Sequence, residues 1–474
     1  MEEPLELEPL FPNRTSGENL AVQLARRLRD AIQAGTLSAG TRMLGTRQLA
    51  KRLGLGRNTV ALAFEQLTAE GYFETRVGSG TFVAAPSIKR LPNRRSPRAL
   101  PSRTAHVTSL RSYFDAATGS GPLRPGMPDL SLFPSRAWHR SARKALDAYD
   151  DELGYGPSAG LRSLREAIVT HVGQFRGIST SAENVIVVEG AQAAMHLAAI
   201  VLAPASRRIA VEDPCYALAR AAFEAHGAHL DAVAVDDDGI MVDRLGRNVA
   251  FAFVTPTHQF PLGGTLPLSR RAALLAWARS ADAYIVEDDY DSEFTAKTRP
   301  LPALQSLDRD ERVVYVGSFS KTLAPAIRVG YAIAPPHLAQ AFRAGRASTS
   351  LGVSVALQAT LADFIASGRF ARHLRKMNSV YERRRSIVVD ALAPHLGTAF
   401  RLGPAQTGLH VALIARRTFD DVGLSEVSDG QRLVPLSRLC VRRRDCRGFV
   451  LGFTNGSDAD IAKAASALGR NLLR

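Results

Sequence analysis

At 474 residues, with 46% hydrophobic and 22% charged side chains, the chain is too long for one ordinary core and too apolar for a disordered protein. Sixty lysines and arginines stand against 45 acidic residues, and the net charge of +15 points to a polyanionic partner, nucleic acid first, unless arginine-rich composition alone accounts for it. Cys215, Cys440 and Cys446 form neither a C-x-x-C pair nor an even disulfide framework, which fits a reducing cytoplasm. The opening MEEPLELEPL has no basic stretch followed by an apolar one, so no secretory signal is expected. The most apolar stretch, residues 191–205, is interrupted by Gln192 and His196 and is too short for a membrane span.

In chain order, Leu20, Leu24, Leu28 and Ile32 repeat at helical spacing, and Gly35 supplies a stop. Thr46 is suited to cap a second helix carrying Leu49, Ala50 and Leu53. After Gly54-Leu55-Gly56, Asn58 is suited to cap a third with Val60, Ala63, Phe64 and Leu67 on one face. Residues 72–76 and 81–83 read as strands around Val77-Gly78-Ser79-Gly80.

A helix-turn-helix sets the start of its second helix against base edges, and that start holds Arg57, Asn58 and Thr59. Arginine forks onto guanine and asparagine onto adenine, while threonine and free backbone N–H groups hold phosphate. Arg47, one helix earlier, would reach the DNA backbone. Arg76 with Gly78, Ser79 and Gly80 would form a wing slim enough for the minor groove. A small helical module that docks protein is the competing reading. The order helix, helix, helix, wing, with the string QLTAEGYFETRVGSGTFVA, resembles the GntR family of bacterial winged-helix regulators over residues 12–84. Leu44-Gly45 departs from the family's usual proline and small residue.

Residues 85–120 read as a basic linker. Pro86, Pro92, Pro97 and Pro101 interrupt any helix, and no acidic residue lies between Glu74 and Asp115, so the segment buries no core. It is either a solvated spacer or an extra phosphate contact.

From residue 121 to 474 apolar strands alternate with longer helices. Strands are expected at 185–188, 208–211, 249–254, 283–286 and 313–316, the pattern of a mainly parallel, doubly wound α/β sheet with its chemistry at the carboxyl strand ends. One of those ends runs into Gly317-Ser318-Phe319-Ser320-Lys321, where an amine follows two hydroxyls, with Arg328 seven residues on. Another ends in Glu287-Asp288-Asp289-Tyr290-Asp291, where Asp288 and Tyr290 share one side of an extended segment. That cluster reads as partners for a nitrogen heterocycle, or as a divalent-metal site lacking further ligands at the right spacing. Gly190-Ala191-Gln192 offers N–H groups at a helix start, a phosphate seat, and Tyr216 follows Asp213-Pro214-Cys215 at a further strand end.

These strings, with VTPTHQFPLGG at 254–264 and YGPSAGLRSLREAI at 155–168, resemble the fold type I, aminotransferase-like pyridoxal phosphate proteins. Placed behind a GntR-like head, EDDYDSEF, PTHQFP and SFSKTL are similar to the MocR (GabR-like) regulators. The resemblance implies a multidomain protein: an α+β winged helix-turn-helix head, a linker and an α/β domain that binds pyridoxal 5'-phosphate. It implies Lys321 as the Schiff-base lysine, Asp288 at the pyridine nitrogen, Tyr290 at the ring oxygen and Tyr216 stacked on the ring. It also implies Arg328, Ser318, Ser320 and Gln192, with the Gly190-Ala191 turn, at the phosphate, and His258 at the cofactor edge. Tyr155 would reach the partner subunit's phosphate in a head-to-tail homodimer. No metal is expected.

Two departures from the family matter. Glu189 replaces a small hydroxyl residue before Gly-Ala-Gln, and a carboxylate there has to turn away from phosphate or pair. Val450 takes the place of a substrate-clamping arginine, leaving Arg447 as the substitute for an effector carboxylate. The expected function is a cytoplasmic, cofactor-dependent regulator that binds operator DNA and senses an amine, an amino acid or the cofactor itself. The alternative is a working aminotransferase with an accessory DNA-binding head.

Overall fold

The computed structural model describes residues 11–13, 17–84, 108, 110–111, 119–148, 156–204, 206–294, 301–427 and 431–472. The chain divides into two compact units, Met1–Ala99 and Leu100–Arg474. Most of the expected linker, and Tyr155, lie outside the described residues. Among the described residues no helix is long and apolar enough to cross a membrane.

In the first unit, α1 (Leu20–Ala34), α2 (Thr46–Leu53) and α3 (Arg57–Ala69) precede a hairpin of β1 (Phe73–Arg76) and β2 (Gly80–Val83). The apolar positions at helical spacing converge on one core, in which Leu24, Leu28, Leu49, Val60 and Leu67 are fully buried. Phe64 meets Phe73 edge-on with ring centroids 4.9 Å apart, joining α3 to the wing. The helix starts differ from expectation. Gly45 and Gly56 occupy the N-cap positions without a side-chain cap, so Thr46 and Asn58 lie inside the first turns. The glycine that closes each turn already has the backbone conformation a helix start needs. The strands shift too: Arg76 pairs with Gly80, so the ladder begins at the wing glycine and Tyr72 stays outside it.

The second unit is built on an eight-stranded sheet in the order β3-β10-β9-β8-β7-β4-β5-β6. Its strands are β3 (Val185–Val188), β4 (Arg208–Asp213), β5 (Leu230–Asp236), β6 (Gly239–Ile240), β7 (Val249–Val254), β8 (Tyr284–Asp289), β9 (Val313–Ser318) and β10 (Gly330–Ile333). The run β5-β4-β7-β8-β9 is parallel, while β10 is antiparallel to both of its neighbours. Alternate residues face opposite helical layers. Val314 and Val316 pack with Phe223 and Phe342, and Tyr315 packs with Ile168 and Phe370. Burial on both faces is why these strands read as continuous apolar runs. β5, β6 and β10 were not among the expected strands: β5 is only partly buried and carries two aspartates, β6 is two residues long, and β10 opens on a glycine.

Beyond β10 a smaller antiparallel sheet follows the order β11-β12-β16-β15, formed by β11 (Phe400–Leu402), β12 (His410–Ala415), β15 (Val434–Pro435) and β16 (Gly448–Gly452). A separate two-stranded ribbon consists of β13 (Glu426–Val427) and β14 (Gln431–Arg432). Helices Arg369–Leu392 and Asp458–Leu472 contribute to the same core as this sheet, through Tyr381, Val388, Ile461 and Leu468 against Val411, Phe449 and Leu451.

Candidate functional site

The carboxyl ends of β4, β7, β8 and β9 converge on Lys321. β9 ends at Ser318, and three residues later the Lys321 amine donates to the Gly126 carbonyl at 2.7 Å. Burial lowers its pKa below the ordinary lysine value, against the fields of Asp291 and Asp288, while the cations Arg124 and Arg328 also lower it. Burial thus eases loss of the proton that a lysine must shed before it acts as a nucleophile.

Asp288, near the end of β8, is buried. Its Oδ1 has no hydrogen-bond partner among the described residues, and burial, reinforced by Asp289, pushes its pKa up to about 8. An unpartnered buried carboxyl is costly, and a protonated heterocyclic nitrogen would relieve it. The neighbouring acid, Asp289, accepts at Oδ2 from Arg176 Nε at 2.7 Å and from the Tyr315 hydroxyl at 2.7 Å.

The loop after β7 is tied down through Glu212, which accepts from the Thr255 hydroxyl at 2.6 Å and from Gln259 Nε2 at 3.2 Å. This fixes His258, whose Nδ1 lies 2.9 Å from Asp291 Oδ2. An ionised carboxylate only accepts, so Nδ1 carries the proton. Nε2 is left buried without a partner among the described residues. The Tyr290 hydroxyl lies 2.9 Å from the same Nδ1 and donates to the His258 carbonyl at 3.0 Å. Tyr216, at the start of helix Ala217–Ala225, packs edge-on against Phe260 at 5.8 Å. Burial and the field of Asp288 push its pKa up to about 12.

Opposite these groups, Gly190 caps helix Ala191–Leu202 at φ 86°. A Cβ there would come within 3.3 Å of the Arg328 guanidinium, whose Nη2 donates to the Glu189 carbonyl at 2.8 Å. A guanidinium thus lies against a helix start, as phosphate binding requires. The Glu189 carboxylate accepts from the Ser350 hydroxyl. Ser318 Oγ accepts from the Ser320 backbone N–H at 3.1 Å. Gln192 donates to the Leu218 carbonyl at 2.7 Å, and its Oε1 stays buried and unpartnered among the described residues. The unpartnered acceptors at Asp288 and His258, the Lys321 amine and the Arg328 anion seat fit the pyridine nitrogen, hydroxyl, aldehyde and phosphate of pyridoxal phosphate.

Arg447 stands apart from this cluster. β16 runs antiparallel to β12, so Arg447 lies at the Ala415 end of that ladder. The opposite end is tied to the Lys321 side through Gly452, whose N–H donates to the Leu123 carbonyl at 2.9 Å. Val450 is fully buried. Three groups escaped sequence reasoning: Asp291, Arg124 and His410, whose ring centroid is 4.5 Å from that of His258. His410 sits in an ordinary apolar strand and carries no local signal. Asp291 was visible only as one more acid in a cluster.

In the first unit Arg47, Arg57 and Asn58 are exposed and Thr59 is half-buried, while Arg76, Gly78, Ser79 and Gly80 are exposed on the wing. Neither α2 nor α3 has a side-chain cap, leaving N–H donors free at the start of the recognition helix. Arg76 is paired with Glu74 and lies 4.7 Å over the Phe82 ring.

Residues 20–83 match the gntR family of bacterial regulatory proteins, and residues 127–427 match aminotransferase class I and II. The chain is 36% identical to the probable rhizopine catabolism regulatory protein MocR of Rhizobium meliloti, over 91% of this chain and 89% of that protein. It is 33% identical to the pyridoxine biosynthesis transcriptional regulator PdxR of Corynebacterium glutamicum, over 95% and 94%. The chain belongs to the MocR type of GntR-family transcriptional regulators. Like other MocR-type chains it joins a winged helix-turn-helix to a fold type I aminotransferase domain. That fold is shared with a kynurenine aminotransferase of Pyrococcus horikoshii, at a TM-score of 0.70 and 24% identity over 82% of this chain and 98% of that one. A multiple substrate aminotransferase of Thermococcus profundus gives 0.69 and 27%, over 79% and 95%. The MocR-type assignment makes the protein a DNA-binding transcriptional regulator.

Proposed function

We propose that this regulator holds pyridoxal 5'-phosphate on Lys321 and uses it to sense an amine or amino acid in the cytoplasm. In this reading residues 12–84 bind operator DNA, residues 85–120 tether, and residues 121–474 respond to the effector. The observation that carries the reading is the buried Lys321 amine, held at 2.7 Å by the Gly126 carbonyl, in the field of an Asp288 carboxyl that lacks a partner among the described residues.

Pyridoxal phosphate, when bound, supplies an aldehyde that condenses with amines and a ring that stores electron density. Asp288 would keep the pyridine nitrogen protonated, and Tyr290 with His258 would hold the ring hydroxyl. Tyr216 would cover one ring face. Arg328, the Gly190-Ala191-Gln192 turn, Ser318 and Ser320 would take the phosphate, joined by the partner subunit's Tyr155 in a head-to-tail homodimer. The Gly126 carbonyl is the acceptor that the Lys321 amine leaves or regains as the cofactor is engaged. Arg124, whose charge reaches that amine, offers a cation for an effector carboxylate instead of Arg447. Arg57, Asn58 and Thr59 would read bases, Arg47 phosphate, and the Arg76 wing the minor groove. The effector shifts DNA binding to the extent that it prefers one domain arrangement.

The test is operator binding by the full chain, against scrambled competitor at moderate salt, with and without pyridoxal phosphate. Borohydride trapping and peptide mapping accompany it. Cofactor-dependent, sequence-specific binding with the adduct on Lys321 is expected, and Lys321→Ala loses both the adduct and the dependence. An adduct on a different lysine, or cofactor-blind binding, defeats the reading.

A further inference from the structure

A second cavity, of about 860 Å³, is lined by Arg401, Arg416, Arg417, Arg443, Arg444 and Arg447 over an apolar floor that includes Val235, Leu262 and Ile414. Lys321, Asp288, Tyr290 and Arg328 are not part of it. Three aspartates also line it, yet each is occupied. Asp237 pairs with Arg401 at 2.9 Å, Asp445 with Arg443 at 2.9 Å, and Asp236 with Arg270 from outside the basin. Arg447 is half-engaged by buried Asp421 at 3.5 Å. The guanidinium groups of Arg416, Arg417 and Arg444 have no side-chain or carbonyl partner among the described residues.

The arginine loop is held in place before any ligand arrives. The Asp213 carboxylate accepts the successive backbone N–H groups of Val441, Arg442 and Arg443 at 2.8, 2.7 and 2.9 Å. Asp421 accepts from the Ser437 backbone N–H, the Ser437 hydroxyl and the Gly448 N–H. Asp213, buried and accepting from three backbone N–H groups, fixes the loop without engaging the Arg444 guanidinium. Planar guanidinium forks match carboxylate and phosphate oxygens. The cavity has the size of a small-molecule site, and its concavity suits a compact ligand better than a DNA backbone.

We propose that this basin is a second ligand site, separate from Lys321, for a small polyanion bearing phosphate or carboxylate groups. Its walls reach the first site. Asp213, which holds the arginine loop, lies three residues before Tyr216, and Arg220 in the helix after Tyr216 donates to the Cys440 carbonyl at 3.0 Å. Leu262 lies in the loop between β7 and helix Leu268–Ser280 that carries His258. A polyanion that stiffens the arginine loop therefore acts on the wall of the Lys321 site.

The test is calorimetric titration of the full chain with inorganic pyrophosphate at constant ionic strength, in four forms: wild type, R416Q/R444Q, R57Q/R76Q and R328Q. Saturable binding is expected in wild type, retained in the DNA-head pair and in R328Q, and weakened about tenfold or more in R416Q/R444Q. Arg416 and Arg444 are exposed, and an unchanged melting curve verifies that the double variant folds. Absence of saturable binding in wild type overturns the proposal, as does equal binding by R416Q/R444Q. Loss of operator affinity in R416Q/R444Q with pyrophosphate binding intact also overturns it, and assigns the arginines to DNA.

Discussion

His258 and Asp291 are joined by a buried hydrogen bond of 2.9 Å between Nδ1 and Oδ2, and the same Oδ2 accepts the Leu409 backbone N–H at 3.0 Å. One carboxylate thus ties the loop after β7 to the entry of β12. Asp291→Ala strips the Leu409 N–H of its acceptor and leaves His258 Nδ1 with only the Tyr290 hydroxyl at 2.9 Å, a loss of about 1–3 kcal/mol. Urea denaturation should register that loss, and Asp291→Asn, which keeps one acceptor, should recover part of it. Equal stability of the alanine variant and wild type would contradict this role.

Asp288 predicts a pH dependence of the cofactor-free chain. Its folded pKa, pushed up to about 8, lies above the unfolded value, so between the ordinary carboxyl range and pH 8 the folded state keeps a proton that the unfolded state releases. Stability from this group is complete below the unfolded pKa and declines as pH rises through about 8, by at most about 1.4 kcal/mol per pH unit. Denaturation midpoints of wild type should fall more steeply from pH 5.5 to 8.5 than those of Asp288→Asn. Parallel curves would show that Asp288 does not hold that proton.

Gly190 should not tolerate a side chain. At φ 86° an alanine is strained, and its Cβ would press on the Arg328 guanidinium at 3.3 Å. Gly190→Ala should cost about 1 kcal/mol in stability and weaken pyridoxal phosphate binding by about tenfold, read from the absorbance of the bound cofactor. Unchanged affinity would remove Arg328 from the phosphate seat.

On the DNA head, Arg57 and Arg76 should fail differently. Arg57→Ala should cost about 1–3 kcal/mol on the operator and relax discrimination at one base pair. Arg76→Ala should weaken operator and scrambled DNA alike and reduce the salt slope by about 1. Binding isotherms at three salt concentrations separate the two, and identical behaviour would deny the base-reading role of Arg57.

The two-domain organisation, the helix order of the head and five strands of the large sheet are legible in the chain alone, as is the placement of Asp288 and Lys321 at strand ends and of Gly190 at a helix start. Each rests on a contiguous string whose neighbours along the chain are also its neighbours in space: a strand, its carboxyl end and the turn that follows. Helix caps slipped by one or two residues because Gly45 and Gly56 entered the helices before the polar side chains did.

What the tertiary structure alone decided are relationships between distant segments. His410 lies against His258, Gly126 accepts from Lys321, and Asp213 holds a loop more than two hundred residues further on. The antiparallel register of β12 and β16 carries Arg447 away from Lys321 and into a basin with Arg401 and Arg416. No spacing encodes these pairs, because a buried polar group is satisfied by whichever donor or acceptor packing brings to it. That choice is made only when the small sheet folds against the segment that covers Lys321.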